Sequence, residues 1–216
     1  ARALRVALAR KDVSTLERCL RECRIAFLYA RQLHPAMRHA AAARATLGIR
    51  TLFNLAGPLA NPARVVRQMI GVSRAEHVPL VAQALRELGS NRALVIHGRS
   101  GVCDLTLDQP SVVAWLDGTS IRMDEVDGRS LGLSAAPLSA VFVRSPDESA
   151  RTVQGVLSGN QGPATDMVLL NAAGALWAAG RATDLPDGLQ QAGSAVAAGR
   201  AAECLQAWIA ISNRTA

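Results

Sequence analysis

The sequence predicts an α/β protein, and three observations support that class. Apolar segments of strand length alternate with helix-length segments, the pattern of a sheet covered by helices. Residues 93–97 contain no polar residue before the last position, as expected for a strand covered on both faces. Residues 76–88 predict an amphipathic helix. Its apolar face is formed by Leu80, Val81, Ala84, Leu85 and Leu88.

The first elements follow from capping and turn signals. Ser14 to Glu17 has the spacing of a capping box, which predicts a helix ending near Cys23. Residues 25–29 predict a short buried strand. A helix is expected over about 35–48, with proline in its first turn and glycine at its end. A loop rich in glycine, proline and asparagine follows at 57–62.

The later part of the chain predicts further strands and four helices. The strands cover 68–72, 93–97, 104–107, 111–116, 120–124 and 140–144. A helix starts at Ser145-Pro146-Asp147-Glu148, another spans 162–180, and two lie within 187–213. The run Met167 to Ala179 is apolar apart from Asn171, and it is shorter than the roughly 20 residues that cross a bilayer. It predicts a buried helix, and we expect no membrane association.

The 216 residues are half apolar, which suits one large α/β domain over 1–216. The net charge of +7 is uneven, because residues 1–100 hold 17 of the 24 basic and 5 of the 17 acidic residues. A basic half would attract a phosphorylated substrate or nucleic acid. Aromatic residues make up only 3%, which leaves few stacking platforms for single strands and argues against nucleic acid as the partner.

The four cysteines predict thiols rather than a metal site or a disulfide framework. Cys19 and Cys23 are four residues apart, whereas Cys103 and Cys204 are distant from them in sequence. A structural metal pair would need two further ligands at regular spacing. We therefore expect reduced cysteines and a cytoplasmic location.

Residues 34–62 contain three closely spaced motifs. They are His34-Pro35-Ala36-Met37, Leu47-Gly48-Ile49-Arg50-Thr51 and Asn54-Leu55-Ala56-Gly57-Pro58-Leu59. Further matching segments are His97-Gly98, Val156 to Gly159, Gly162 to Ala164 and Leu169 to Ala173. Together these residues resemble the C-terminal part of an anthranilate phosphoribosyltransferase, over roughly 12–200.

The resemblance implies a nucleoside phosphorylase/phosphoribosyltransferase-like fold. The chain would be mostly its large α/β domain with a remnant of the small helical domain, to which the helix at about 35–48 would belong. The implied reaction transfers the 5-phosphoribosyl group of phosphoribosyl pyrophosphate to the amine of anthranilate, a step of tryptophan biosynthesis. Mg²⁺ would assist pyrophosphate departure, and the family forms homodimers.

The resemblance also implies residues on the acceptor side. Arg44 occupies the position at which the family has an arginine that contacts anthranilate. A guanidinium can hold the anthranilate carboxylate by two parallel hydrogen bonds. The alternative is a solvated helix arginine. His34 matches a histidine near the anthranilate tunnel, or else bonds backbone at a helix start. Gly57 and Pro58 would line the same cavity, or serve a turn.

The metal positions depart from the family pattern. After the His-Gly pair the family has two carboxylates that hold magnesium, and here Cys103 and Asp104 occupy those positions. Mg²⁺ prefers hard oxygen ligands, so a thiol is unsuited to it. Asp104 is then the expected metal ligand, with a strand-edge aspartate as the alternative.

The 216 residues contain no glycine-rich phosphate loop, which the family carries upstream of the matched region. We therefore expect these residues alone to be inactive. One alternative is a non-catalytic paralogue that binds nucleic acid or a small ligand, favoured by Cys103-Asp104 and the basic first half. Another is a pyrimidine nucleoside phosphorylase, which the motifs at 34–62 disfavour.

Overall fold

The computed structural model describes residues 3–7, 13–29, 33, 53–61 and 63–214, with backbone alone for 53–55. The helices are α1 (Val13–Cys23), α2 (Phe53–Leu59), α3 (His77–Glu87), α4 (Pro146–Leu157), α5 (Pro163–Ala178), α6 (Leu185–Ala197) and α7 (Arg200–Asn213). The strands are β1 (Arg67–Gly71), β2 (Arg92–Gly98), β3 (Ser111–Asp117) and β4 (Ser120–Val126). Short 3₁₀ turns cover Gly128–Leu131 and Leu138–Val141.

These residues form two compact units. Unit 1 comprises the described residues of 1–51, 143–160 and 195–216, and unit 2 those of 52–142 and 161–194. The predicted helix at 35–48 lies outside the described residues. Its assignment to a second domain, and that of 1–216 to one α/β domain, therefore stay predictions.

Unit 2 contains a mixed four-stranded sheet in the order β1-β2-β3-β4. β1 and β2 are parallel and are connected through α3, as a parallel pair requires. β2–β3 and β3–β4 are antiparallel. The predicted hairpin at 117–118 is confirmed, and Gly118 adopts a left-handed φ of 59° in its turn. The α/β class is thus confirmed, with antiparallel pairs added to the parallel one.

The strand β2 is buried on both faces, as its unbroken apolar run predicts. Leu94 and Ile96 face a core that includes Leu170, Ala173 and Trp177 of α5. Ala93 and Val95 face the opposite core, which is completed by α3. The alternation follows from the two-residue period of a strand. The predicted helix at 167–179 is confirmed in α5, which is buried on the face that packs against β2, whereas Val168 is exposed.

The buried face of α3 agrees with the prediction at Val81 and Leu85 and differs from it elsewhere. The structure buries Val78, Val81, Ala82 and Leu85, whereas Leu80 and Leu88 are 57% and 64% exposed. Positions 78, 81, 82 and 85 follow the i, i+3, i+4, i+7 repeat of one helix face. Leu80 comes two residues after Val78, so it points away from the sheet. The sequence offers both apolar stripes, and contact with the sheet selects one.

Unit 1 brings α1 against α7, with Cys19, Cys23 and Ile211 in the buried centre. The Cys204 thiol donates to the Cys23 carbonyl oxygen at 3.2 Å, and Cys23 donates to that of Cys19 at 3.1 Å. Burial, with the neighbouring Cys23, raises the pKa of the Cys204 thiol. Cysteine thiols in such surroundings behave as small apolar groups.

The predicted start of α4 is confirmed. Ser145 has extended backbone, and its hydroxyl oxygen accepts a hydrogen bond from the Glu148 amide at 3.1 Å. The Glu148 carboxylate accepts in return from the Arg144 amide at 2.7 Å. This reciprocal arrangement satisfies amides at a helix start that have no partner within the helix.

Local structure was predicted wrongly at 25–29, 140–144 and 57–62. Residues 25–29 form no strand, and Phe27 and Tyr29 are exposed with their ring centroids 6.3 Å apart. The predicted strand at 140–144 is replaced by the turn Leu138–Val141 and irregular chain. The predicted loop at 57–62 begins later, because α2 continues through Leu59. Apolar character alone does not supply the neighbouring strand that a β-strand needs.

Within the described part of the chain, the helices are too short or too polar to cross a bilayer.

Candidate functional site

The loops after β1 and β2 meet at one edge of the sheet, because the carboxyl ends of parallel strands lie side by side. β1 leads into Val72, whose amide donates to the Ile96 carbonyl at 2.8 Å and extends the pairing. β2 leads into residues 99–110, which we call the 99–110 loop. This loop contains the positions at which the sequence predicts metal ligands.

The 99–110 loop starts with a tight turn. The Gly98 amide donates to the Val102 carbonyl at 2.9 Å, and the Gly101 amide donates to the Gly98 carbonyl at 2.8 Å. Gly101 has a φ of 89°, a left-handed conformation in which a side chain would be strained. The turn folds the loop back over the ends of β1 and β2.

Two glycines allow this close approach. An ideal Cβ on Gly71 would lie 1.8 Å from the carbonyl oxygen of Cys103, well inside van der Waals contact. An ideal Cβ on Gly98 would lie 2.8 Å from the carbonyl oxygen of Asp104. The backbone of residues 103 and 104 therefore rests on positions of β1 and β2 that have no side chain.

The predicted strand at 104–107 was wrong, because side chains occupy its hydrogen-bonding groups. The Leu105 amide donates to Asn171 Oδ1 at 3.0 Å, and Asn171 Nδ2 donates to the Leu105 carbonyl at 2.9 Å. The Thr106 amide donates to the Ser111 hydroxyl oxygen at 3.1 Å. These buried groups are satisfied, but by α5 and β3 side chains rather than by a neighbouring strand.

The loop is buried at its centre and open at its tip. Leu105, Thr106 and Leu107 are buried, whereas Cys103 and Asp104 are exposed. The two predicted metal positions are thus presented next to each other on an anchored backbone.

The donor chemistry of this pair does not fit a two-carboxylate magnesium site. Asp104 offers hard oxygen, but Cys103 offers sulfur, which Mg²⁺ avoids. Across the described ranges, no group of three or more histidine, cysteine, aspartate or glutamate side chains is arranged to hold a metal ion. Asp104 alone of the pair is suited to magnesium.

Two charged residues of the loop, Arg99 and Asp108, have polar partners. The Ser100 hydroxyl donates to Asp108 Oδ2 at 2.7 Å. Burial alone would raise the pKa of Asp108, but this hydrogen bond and others from the same loop outweigh it and lower the pKa. Arg99 forms a salt bridge with Glu125 of β4. The first interaction joins two residues of the loop, and the second attaches the loop to the sheet.

His97 has a structural contact at the same edge. Its side chain is 7% exposed, and Nδ1 lies 3.0 Å from the Val72 carbonyl oxygen. A buried imidazole with a backbone partner links the ends of β1 and β2. This contact assigns His97 a structural role.

The acceptor-side predictions are only partly within the described chain. His34 and Arg44 lie outside the described residues. Gly57 is half-buried and Pro58 exposed in α2, where Leu59 packs against the core beneath α3. The structure therefore describes the surroundings of Cys103 and Asp104, which are neighbours in the sequence, and the roles of all six predicted residues stay predictions.

Sequence reasoning missed the residues that support the loop. Asn171 is the clearest, and its signal was an amide inside an otherwise apolar helix, where a polar group needs a partner. Gly71 gave no local signal, because Cys103, which it contacts, is distant in sequence. Ser111 bonds Thr106, only five residues away, but nothing in the sequence singles out that hydroxyl as the partner.

The comparisons with known proteins agree with this architecture. The family described as "Glycosyl transferase family, a/b domain" matches residues 2–202. The chain belongs to this family. As a family member it is also similar to curated proteins named anthranilate phosphoribosyltransferase. One from Methylocella silvestris is 43% identical over 94% of this chain, and one from Legionella pneumophila is 42% identical over 88%.

Solved structures show the same likeness. Anthranilate phosphoribosyltransferase (TrpD) from Thermus thermophilus superposes with a TM-score of 0.90 at 36% identity, covering 99% of this chain and 63% of its own. The enzyme from Saccharomyces cerevisiae in complex with PRPP and Mg superposes with a TM-score of 0.87 at 26% identity. The match covers 97% of this chain and 60% of the yeast chain. The chain spans 58% of the Methylocella protein, so it matches only part of its relatives.

Proposed function

We propose that the protein containing this chain transfers the 5-phosphoribosyl group of phosphoribosyl pyrophosphate to the amine of anthranilate, in tryptophan biosynthesis. The observation that supports it most is 43% identity to an anthranilate phosphoribosyltransferase over 94% of the chain. A solved relative from yeast binds 4-fluoroanthranilate, and another structure of it holds PRPP and Mg. The family, the fold and these named relatives agree.

In the proposed reaction the anthranilate nitrogen forms a bond to the ribose carbon as the bond from that carbon to pyrophosphate breaks. The amine then releases a proton to solvent. Arg44 would hold the anthranilate carboxylate by a bidentate hydrogen bond and so direct the amine. His34, Gly57 and Pro58 would form the surrounding wall of the acceptor site.

Magnesium remains a proposed cofactor, supported by the yeast structure with PRPP and Mg. Asp104 is the residue of the predicted pair that would hold it. The exposed thiol of Cys103 does not fit that task. We therefore expect the metal requirement of this protein to differ from that of a relative with two carboxylates.

We also propose that the 216 residues alone are inactive, because they contain no glycine-rich phosphate loop. The complete protein would act in the cytoplasm, and homodimerisation is expected from the resemblance. The alternative is a non-catalytic paralogue that binds nucleic acid or a small ligand, and the thiol at position 103 is the observation that favours it.

The test is anthranilate-dependent release of pyrophosphate from phosphoribosyl pyrophosphate, measured with the product of the complete reading frame and with residues 1–216 alone. We expect release from the complete protein only. Absence of release from the complete protein over a wide range of Mg²⁺ would overturn the proposed function. Salt-dependent DNA binding by an inactive protein would favour the alternative. Activity of the 216 residues would refute their proposed inactivity.

A further inference from the structure

Asn171 has an unusual position for a side-chain amide. It lies near the middle of α5, a helix whose buried residues are otherwise apolar or small. Its Nδ2 donates to the carbonyl oxygens of Leu105 and Met167, both at 2.9 Å, and its Oδ1 accepts from the Leu105 amide at 3.0 Å. A half-buried amide is costly unless it is bonded in this way.

The two bonds to Leu105 have a specific geometry. The N–H and the C=O of Leu105 both form hydrogen bonds with the Asn171 side chain. In an antiparallel ladder, a residue forms the same two bonds with the residue opposite it. The Asn171 amide thus replaces a strand at this position. The bond to Met167, one helical turn earlier, holds the side chain in the orientation that this exchange requires.

Leu105 directly follows the exposed pair Cys103-Asp104. On the other side, the backbone of residues 103 and 104 rests on Gly71 and Gly98, where a Cβ would lie 1.8 and 2.8 Å from their carbonyl oxygens. The segment is therefore supported by the ends of two strands and by one side chain from α5. Of these three supporting residues, only Asn171 can be replaced by a residue of similar volume that lacks its hydrogen bonds.

We propose that Asn171 is a positioning residue, which acts through the Leu105 backbone to fix Asp104 at the edge of the sheet. This inference rests on the proposed function, because it assigns Asp104 to the side of the site that receives phosphoribosyl pyrophosphate. A misplacement of about 1 Å in such a group can cost about 100-fold in rate. The acceptor side, assigned to other residues, would be unaffected.

The experiment uses the complete protein with Asn171→Leu, which has a similar volume but no hydrogen bonds. The matched control is Asn213→Leu, since Asn213 Nδ2 donates to the carbonyls of Arg5 and Ile209 at 2.8 and 2.7 Å in unit 1. We expect kcat/KM for phosphoribosyl pyrophosphate to fall about 100-fold in the first variant. KM for anthranilate should stay within about twofold, and the control should leave both constants unchanged.

A second measurement does not depend on activity. Hydrogen exchange of the Leu105 amide should accelerate at least tenfold in Asn171→Leu and remain unchanged in the control, because this amide loses its acceptor. If Asn171→Leu does not fold, Asn171→Asp keeps an acceptor for Leu105 but loses both donors. This variant should lower kcat/KM for phosphoribosyl pyrophosphate about tenfold, with KM for anthranilate within about twofold.

Unchanged Leu105 exchange in Asn171→Leu, or a rise in KM for anthranilate as large as the loss in kcat/KM for phosphoribosyl pyrophosphate, would overturn the positioning role. An inactive wild-type protein would overturn the proposed function, and with it the assignment to the donor side. In that case Leu105 exchange still decides whether Asn171 holds the loop.

Discussion

β2 and the 99–110 loop that follows it both bury apolar side chains but are held in different ways. β2 pairs through backbone hydrogen bonds with β1 on one side and β3 on the other. The loop buries Leu105 and Leu107 equally well, yet its amides bond to the side chains of Asn171 and Ser111. A backbone ladder tolerates exchange of side chains, whereas a loop held by side chains depends on a few particular residues.

The largest effect is expected where the loop meets the sheet. Gly71→Ala places a methyl group where the Cys103 carbonyl oxygen lies, and the backbone on both sides resists movement. We expect a loss of about 3 kcal/mol in the free energy of unfolding, measured by urea denaturation.

Gly193→Ala is the matched control, because its ideal Cβ meets no atom within 4 Å and it lies inside α6. This change should stabilise by up to about 1 kcal/mol through helix propensity. A cost below about 0.5 kcal/mol for Gly71→Ala would contradict the close packing of the loop on β1.

The next-largest effect is expected at the Ser111 hydroxyl, which bonds the Thr106 amide in place of a neighbouring strand. Ser111→Ala leaves the buried Thr106 amide without its acceptor, at a cost of about 2 kcal/mol in unfolding free energy. Ser130→Ala removes an exposed hydroxyl that donates to the Asp127 carbonyl at 2.8 Å, and should change stability by less than about 0.5 kcal/mol. Equal effects of the two substitutions would show that the loop does not depend on Ser111.

The third prediction concerns the tip of the loop. In the complete protein, Cys103→Asp adds a second carboxylate beside Asp104, and the Mg²⁺ concentration for half-maximal activity should fall about tenfold. Cys103→Ser, which adds oxygen without charge, is the control and should change this concentration much less. Loss of activity in Cys103→Asp at every Mg²⁺ concentration would contradict a magnesium role for this position.

The smallest effect is the pH dependence that Asp108 adds. Its pKa in the folded protein lies below the ordinary value, so its contribution to stability is present at neutral pH and is lost as the pH falls below about 4. Asp108→Asn should cost about 0.5 kcal/mol at pH 7 and progressively less toward pH 3. Denaturation midpoints of both proteins at several pH values test this, and a constant difference would contradict it.

Much of the described fold could be predicted because its signals are local. The unbroken apolar run of β2, the turn at Gly118 and the cap at Ser145 each depend on residues close in sequence. The wrong strand predictions share one cause. Residues 25–29, 104–107 and 140–144 have apolar character suited to strands, but no neighbouring strand among the described residues pairs with them. The prediction of a strand requires the partner as well as the pattern.

The candidate site likewise has one part that the sequence predicts and another part that it does not. The motifs identify the family and place Cys103-Asp104 after β2, because motif spacing is a property of the sequence. The support for that pair was not predicted, since Asn171 and Gly71 reach it only after α5 and β1 are packed against β2. Arg44 and His34 rest on the resemblance alone.

By itself the sequence determined the family, the alternation of helices and strands, and the replacement of one carboxylate by a thiol. Only the tertiary structure decided which face of α3 is buried, which segment stays outside the sheet, and how residues 103–105 are held. Periodicity, caps and motifs act over a few residues, and the chain records them directly. Hydrogen-bond partners and close contacts between distant segments exist only once those segments are folded together.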